Sequence, residues 1–354
     1  MYECEAVNGD WSLMWRHIAE VVCGGDETIA AYVLGWMARA VQNPGVPGEV
    51  AIVLRGGQGS GKGVFAREFG KLFGPHFMQI ARGELLTGRF NGHLEKTVLL
   101  FADEAFWGGD RRGAGTLKAL LTEPTLAIEA KYRNIKDSRN CVHVLMATNS
   151  EWAIPADMDD RRFLVLDVLD RHAQDHEYFR ALLDQMRAGG REAMLYDLQH
   201  YDLSGFDFRT VPKTKALHEQ KSLGLEIHQK WWYAKLRDGR LLPDDSGWTG
   251  EAARDLLYDD YVEFCKKAGQ GRRSVETEMG MRLSKMLPPK YPKRSARLEP
   301  RERWVDDMKE KYDLRVDTSV FPTLAECRAM WDALMEQPED WPSEAGLLVD
   351  QDEF

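Results

Sequence analysis

Gly56-Gly57-Gln58-Gly59-Ser60-Gly61-Lys62-Gly63 follows the apolar run Val50 to Leu54. It precedes a stretch in which Val64, Phe65, Phe69, Leu72 and Phe73 recur at helical spacing. A strand, a glycine-rich turn and a helix in this order predict a phosphate-binding loop. The glycines let the backbone curl so that successive N–H groups and the helix N-terminus face the phosphates of a nucleotide, and Lys62 reaches their β and γ oxygens. Gly56 to Gly63, with Val64, are the candidate nucleotide-binding residues, and ATP with Mg²⁺ is the expected ligand. One position departs from the usual pattern: Gly63 stands where a Ser or Thr hydroxyl would ligate Mg²⁺, so Asp103 or water has to supply more of the coordination.

Outward from the loop, short apolar runs alternate with helical stretches: EVAIVL, FMQI, TVLLFA, a helix around Leu117 to Leu121, VHVLMA and FLVLDV. This is the pattern of an α/β fold with a mostly parallel sheet. The strand Thr97 to Ala102 ends in Asp103-Glu104, two carboxylates that are costly at the end of a buried strand unless a cation or polar substrate meets them. Asp103 suits the metal, and Glu104 suits the base that deprotonates an attacking water. A helix cap and a surface acid are the plainer roles for the same pair. The strand Val142 to Ala147 ends at Thr148-Asn149, where Asn149 can hold that water or read the γ-phosphate; a simple turn residue is its other role. Asp160-Arg161-Arg162-Phe163 precedes the next strand. Arg161 or Arg162 can act as a finger on a neighbouring subunit's nucleotide, or pair with the local aspartates.

The 354 residues suggest about two domains and room for a small third. With 44% hydrophobic and 29% charged residues, the chain has the material for ordinary cores. No apolar run approaches the roughly 20 residues that span a bilayer, and MYECEAVNGD lacks a signal-peptide pattern. Five scattered cysteines with no C-x-x-C pair suggest neither disulfides nor zinc, so a cytoplasmic location is expected.

The net charge of −10 is unevenly placed. Trp331 to Phe354 carry eight acids and no Lys or Arg, leaving only −2 for the first 330 residues. Lys266 to Arg303 hold twelve basic and four acidic residues, among them Arg272, Arg273, Lys293 and Arg294, a candidate phosphate-binding surface. A solvated helix face is the alternative.

The expected layout is a helical N-terminal module over 1–48, a nucleotide-binding motor over 49–170, and a helical segment with linker over 171–247. A winged-helix-like basic domain over 248–331 and an acidic tail over 332–354 follow. Within it, an amphipathic helix is expected over Thr249 to Ala268, a second over Ser274 to Leu287 with Ser274 as N-cap, and a β-wing over Pro288 to Arg303.

Six ordered stretches, GGQGSGKG, LLTGRFNGHLEK, VLLFADEAFWGG, LKALLTEPTLAIEAKYRN, VLMATN and DDRRFLVLDV, resemble the superfamily-three replicative helicases of phages, plasmids and DNA viruses, within the AAA+ ATPases. The likeness runs from about Asp10 to Val168, and is strongest to the helicase part of phage and poxvirus-type primase-helicases. The resemblance implies an ATP-driven, ring-shaped homo-oligomer, expected to be a hexamer, that moves 3′ to 5′ on single-stranded DNA and opens forked DNA. It also implies that Leu126 to Asn140 form a hairpin in the ring's channel, with Lys131, Tyr132, Arg133, Lys136 and Arg139 on the strand. A primase, a polymerase or a single-stranded-DNA-binding protein is the implied partner. A primase domain often precedes this motor; with about 50 residues before the loop, the chain is either a stand-alone helicase or the C-terminal part of something longer.

Two rivals remain. The loop also resembles that of adenylate kinases, which share a Gly after the Lys but have Thr where this chain has Val64. An ATP-dependent DNA-binding switch without unwinding is the other, kept open by Gly63. The tail, ending Val349-Asp350-Gln351-Asp352-Glu353-Phe354, resembles the acidic, Phe-ended tails that dock on replication partners; a solubilising end or a shield over the chain's own basic segment are the other readings.

Overall fold

The apolar run before the glycine loop forms β1, Ala51–Arg55, in a five-stranded parallel sheet. Its other strands are β2 (Phe77–Ile80), β3 (Leu99–Asp103), β6 (His143–Thr148) and β7 (Phe163–Asp167), in the order β2-β3-β6-β1-β7. Parallel strands need crossovers, and β1 sits where the order reverses, with β7 on one side and β6 on the other. Between β3 and β6 the chain inserts an antiparallel hairpin, β4 (Thr125–Ile128) and β5 (Lys136–Arg139). The computed structural model describes residues 2–81, 88, 90–104, 111–132, 134–154, 156–158, 160–269, 274–305 and 308–343. The chain divides into two compact units, Met1–Gly224 and Leu225–Phe354.

Both faces of the sheet are buried, so its strands read as continuous apolar runs. Ile52, Leu54, Leu99, Phe101, Leu145 and Leu166 face one core. That core is shared with α1 (Ser12–Arg16, running on as a π-helical turn His17–Val22), α2 (Glu27–Gln42), α3 (Lys62–Lys71), α5 (His176–Gln185) and α6 (Arg191–His200). Asp26 caps α2 by accepting from the N–H groups of Thr28 and Ile29 at 2.9 and 3.0 Å, and Ala30, Val33, Trp36, Met37, Ala40 and Val41 form its buried stripe. The helices expected as an N-terminal module therefore close one face of the sheet. On the other face Ala51, Val53, Leu100, Val144, Met146 and Val165 pack with Leu117, Leu120 and Leu121 of α4 (Arg111–Thr122) and with Ala216 and Leu217 of α7 (Lys215–Gly224). Arg55 fastens β1 to β7 by a bidentate pair with Asp167 at 2.6 and 2.8 Å, and also bonds Glu219 on α7.

The second unit begins with α8 (Ile227–Asp238), so the helical segment expected over 171–247 is split between the units. Its core holds Trp231, Trp232, Tyr261 and Trp331, from α8, α9 (Arg254–Lys267) and α11 (Leu324–Met335). Of the segment expected as a β-wing, Pro288 to Arg303, the part from Lys293 forms β9 (Lys293–Val305), which pairs in a long antiparallel hairpin with β10 (Met308–Val320), beyond the expected bounds. Two local expectations are corrected. The helix expected from Thr249 starts only at Arg254, because Glu251–Ala253 form β8 and pair with β10 through Ala253 and Thr318. Ser274 does not cap α10 (Glu276–Ser284): Val275 holds that position without a side-chain bond, and the Ser274 carbonyl accepts from the Tyr258 hydroxyl at 3.2 Å.

No described helix is long and apolar enough to cross a membrane. The five cysteines are all free. Arg133, Arg272, Arg273 and the tail beyond residue 343 lie outside the described residues.

Candidate functional site

The glycine loop curls at the C-terminal end of β1 as its sequence demands. Gly59 and Gly61 have φ of 82° and 95°, left-handed values that glycine adopts without a Cβ clash. At Gly61 space forbids a side chain as well, since a Cβ there would lie 2.4 Å from Cε1 of His17 and 2.8 Å from the Phe179 ring. At Gly57 it would lie 2.9 Å from an Asp170 carboxylate oxygen. The Ser60 hydroxyl donates to the Gly57 carbonyl at 3.0 Å, and Gln174 N–H donates to the Gly59 carbonyl at 3.3 Å.

Lys62 is buried within this curl. Its ammonium donates to the carbonyls of Gly56 and Gly57 at 2.8 and 2.6 Å, to Ser60 Oγ at 3.3 Å and to Asn149 Oδ1 at 3.2 Å. Burial pulls its pKa below the ordinary lysine value, and the carboxylates of Asp170 and Asp103 oppose that shift. The sheet thus brings Lys62 and Asn149 together from the ends of adjacent parallel strands, 87 residues apart in sequence.

Asp103 closes β3 one strand further along. Its Oδ2 accepts from Gln79 Nε2 at 3.0 Å and lies 3.6 Å from Arg67 Nη1. Glu104 is exposed and takes a φ of 57°, a strained value for a residue with a side chain. The two arginines of the Asp-Arg-Arg-Phe string differ. Arg162 lies 3.4 Å from the buried carboxylate of Asp160, which also pairs with Lys118 at 2.9 Å. Arg161 is exposed and makes no ion pair among the described residues.

The donor set for Mg²⁺ is incomplete. Gly63 offers no hydroxyl, and a Cβ there would lie 2.7 Å from Arg67 Nη1, so the guanidinium already fills the space. Among the described residues no three His, Cys, Asp or Glu side chains cluster as a metal site.

The hairpin spreads its candidate cations. Tyr132 at the tip is fully exposed, with a φ of 63°, and Lys131 beside it leans over the Phe90 ring at 5.7 Å. Lys136 pairs with Glu95 at 2.6 Å, and Arg139 lies at the hairpin's base next to Gly45. In the second unit, Lys293 and Arg294 are exposed at the start of β9, with Lys293 over the Tyr291 ring at 4.9 Å. Helix α10 opens instead with Glu276 and Glu278, and its Arg282 is held by Glu278 and Glu226. Lys266 and Lys267 at the end of α9, and Lys285 and Lys290 before β9, are exposed as well.

The motifs did not mark His17, Arg67, Asp170, Gln174 or Phe179, all of which touch the loop or Asp103. Only Arg67 carried a signal: it stands four residues after Gly63, one helical turn on the same face.

Residues 54–162 match the model of a family of unknown function, DUF5906. No curated protein matches the chain. The apo structure of the NrS-1 C-terminal region (305-718) superposes with a TM-score of 0.63 at 14% identity, over 90% of this chain and 78% of that one. A second apo form of that region gives 0.62 over 90% and 77%. A JCV helicase structure gives only 0.34 at 12% identity, over 64% and 66%, too little to argue from. The core is a P-loop NTPase fold. The sheet order, the loop at the end of β1 and the Lys62–Asn149 contact are its diagnostic parts, with helices on both faces and a separate compact unit after Gly224.

Proposed function

We propose that the chain is the ATP-hydrolysing motor of a ring-shaped DNA helicase. The observation that carries this reading is the meeting of Lys62, Asn149 and the Asp103-Glu104 end at neighbouring strand ends, with a solvent-exposed hairpin inserted between β3 and β6.

An incoming triphosphate competes for the Lys62 ammonium with the loop carbonyls that now hold it, and the curled N–H groups take up the remaining phosphate oxygens. Glu104, exposed at the end of β3, is the base for the attacking water, and Asn149 holds that water or the γ-phosphate. Arg161 is the better finger of the two, because it is unpaired among the described residues whereas Arg162 is occupied by Asp160. A finger acts from a neighbouring subunit, so the reading entails a homo-oligomer, and six copies agree with the resemblance. No step is routed through Mg²⁺, because the residues beside Gly63 do not offer its usual ligands.

The hairpin tip, Lys131 and Tyr132, offers a cation and a stacking ring to single-stranded DNA, and Lys136 and Arg139 further along the hairpin add positive charge to the same path. Lys293 and Arg294 on the wing serve duplex or forked DNA. Translocation 3′ to 5′, and a primase, polymerase or single-stranded-DNA-binding protein as partner, belong to the same proposal. A second reading, an ATP-dependent assembly switch that binds DNA without unwinding it, is favoured by one observation: the missing hydroxyl at Gly63.

ATP turnover measured with single-stranded DNA, without it, and with AMP separates these readings. Turnover stimulated by DNA supports the motor. ADP formation that depends on AMP indicates a nucleotide kinase, and absence of turnover with retained nucleotide binding indicates the switch.

A further inference from the structure

The guanidinium of Arg67 fills the space that a side chain at position 63, where the usual loop carries its metal-binding hydroxyl, would enter. Residues 63 and 67 are one turn apart on α3, and the glycine leaves an empty Cβ position into which the longer side chain folds back. A Cβ at 63 would lie 2.7, 2.8 and 3.0 Å from Nη1, Nη2 and Cζ of Arg67. The same guanidinium lies 3.6 Å from Asp103 Oδ2, and Gln79 Nε2 holds that oxygen at 3.0 Å. A monocation thus lies over the first turn of the helix that follows the loop, and against the carboxylate expected to bind metal.

We propose that Arg67 is a phosphate ligand of the bound nucleotide, supplying the charge that a hydroxyl-held Mg²⁺ supplies in loops with Ser or Thr at this position. The planar fork of a guanidinium matches two phosphate oxygens at once, and its charge does not depend on pH or on metal. Gly63 and Arg67 then form one device: the glycine makes the room, and the arginine fills it with charge. The consequence is nucleotide binding that depends little on Mg²⁺. This inference rests on the P-loop reading of the site.

The test is the dissociation constant of a fluorescent ATP analogue, measured in EDTA and in excess Mg²⁺, for the full chain and three variants. For the unaltered chain the ratio of the two constants is expected to stay below about threefold. Arg67→Ala should raise the ratio by about tenfold or more, the scale of one charge-assisted hydrogen bond, by weakening binding in EDTA while Mg²⁺ restores it. Gly63→Ser should raise it as well, because its Cβ displaces the guanidinium and its hydroxyl supplies the missing ligand. This second variant keeps the proposal open to refutation if Arg67→Ala fails to fold. A ratio that rises at least threefold through weaker binding in EDTA, in either folded variant, supports the proposal. A ratio unchanged within threefold in the folded variants, with binding still abolished by Lys62→Ala, overturns the role of Arg67 and leaves the P-loop reading intact. Absence of nucleotide binding by the unaltered chain in both conditions overturns the P-loop reading itself.

Discussion

Acidification should destabilise the first unit steeply, because two of its histidines are buried in their neutral form. His17 is fully buried against the glycine loop, its ring near Gly61 and 5.7 Å from Phe179. His143 is fully buried at the start of β6, edge-on to Trp36 at 5.9 Å and close to the Arg39 cation. Burial pushes both imidazoles down to about 4 from an ordinary 6.5. As pH falls below 6.5 the unfolded chain takes up two protons that the native chain refuses until about pH 4. Stability is therefore fully present above 6.5 and falls by about 1.4 kcal/mol per imidazole per pH unit through that window. At about pH 5 the loss is roughly 2 kcal/mol for each histidine and 4 for both, which in a unit of this size lowers the melting temperature by about 8–16 °C. The assay is chemical and thermal unfolding at about pH 7.5 and pH 5, at fixed ionic strength, for the unaltered chain and for His17→Gln and His143→Gln. Each variant is compared with itself across pH, so the fixed cost of the substitution cancels. Each should flatten the pH dependence by about 2 kcal/mol. Variants as acid-sensitive as the unaltered chain would refute the buried-neutral account.

Three further outcomes follow from the site. Lys62→Ala should weaken nucleotide binding about 10-fold or more, the scale of one lost charge-assisted bond, whereas Glu104→Gln should keep the nucleotide and slow hydrolysis by about 10² or more; calorimetry and turnover on both variants check the split, and equal loss of binding in both would remove the assignment of Glu104. Arg161→Ala should bind ATP, fail to hydrolyse it and poison mixed assemblies when doped into unaltered protein, while Arg162→Ala should mainly loosen Asp160; activity that falls only in proportion to the doped fraction would argue against a site completed by a neighbour. Replacing Lys131 and Tyr132 with Ala should abolish the stimulation of turnover by DNA and leave basal turnover nearly intact, and stimulation that survives would remove the hairpin from the DNA path.

The loop and the sheet were legible because both are local. Glycines at 59 and 61 are dictated by positive φ, and runs such as residues 99–102 are apolar throughout because both faces of the sheet are covered. The hairpin between β3 and β6 was expected only through the family resemblance, and of the long hairpin in the second unit the prolines and charge marked only the first strand, β9. What escaped depends on contacts distant in sequence. Glu251–Ala253 form a strand only because β10 lies alongside, and nothing local separates them from the helix that follows. The division after Gly224 falls between two helices joined by only Leu225 and Glu226, too short a connection to give a linker signal. His17 meets Gly61 across 44 residues, and an isolated histidine in an apolar helix has no spacing that points to a nucleotide loop. Arg67 is the exception, since the four-residue step from a glycine in place of a hydroxyl was visible in the sequence.

The central claim is that ATP hydrolysis at Lys62 drives strand separation. Displacement of a labelled strand from a forked duplex, with the single-stranded arm on the 3′ or the 5′ side, measures this directly. The account predicts displacement of the 3′-tailed fork with ATP, none with a non-hydrolysable analogue, and none by Lys62→Ala or Glu104→Gln under the same conditions. Failure to displace either fork by protein whose ATP turnover is intact and stimulated by DNA would contradict it.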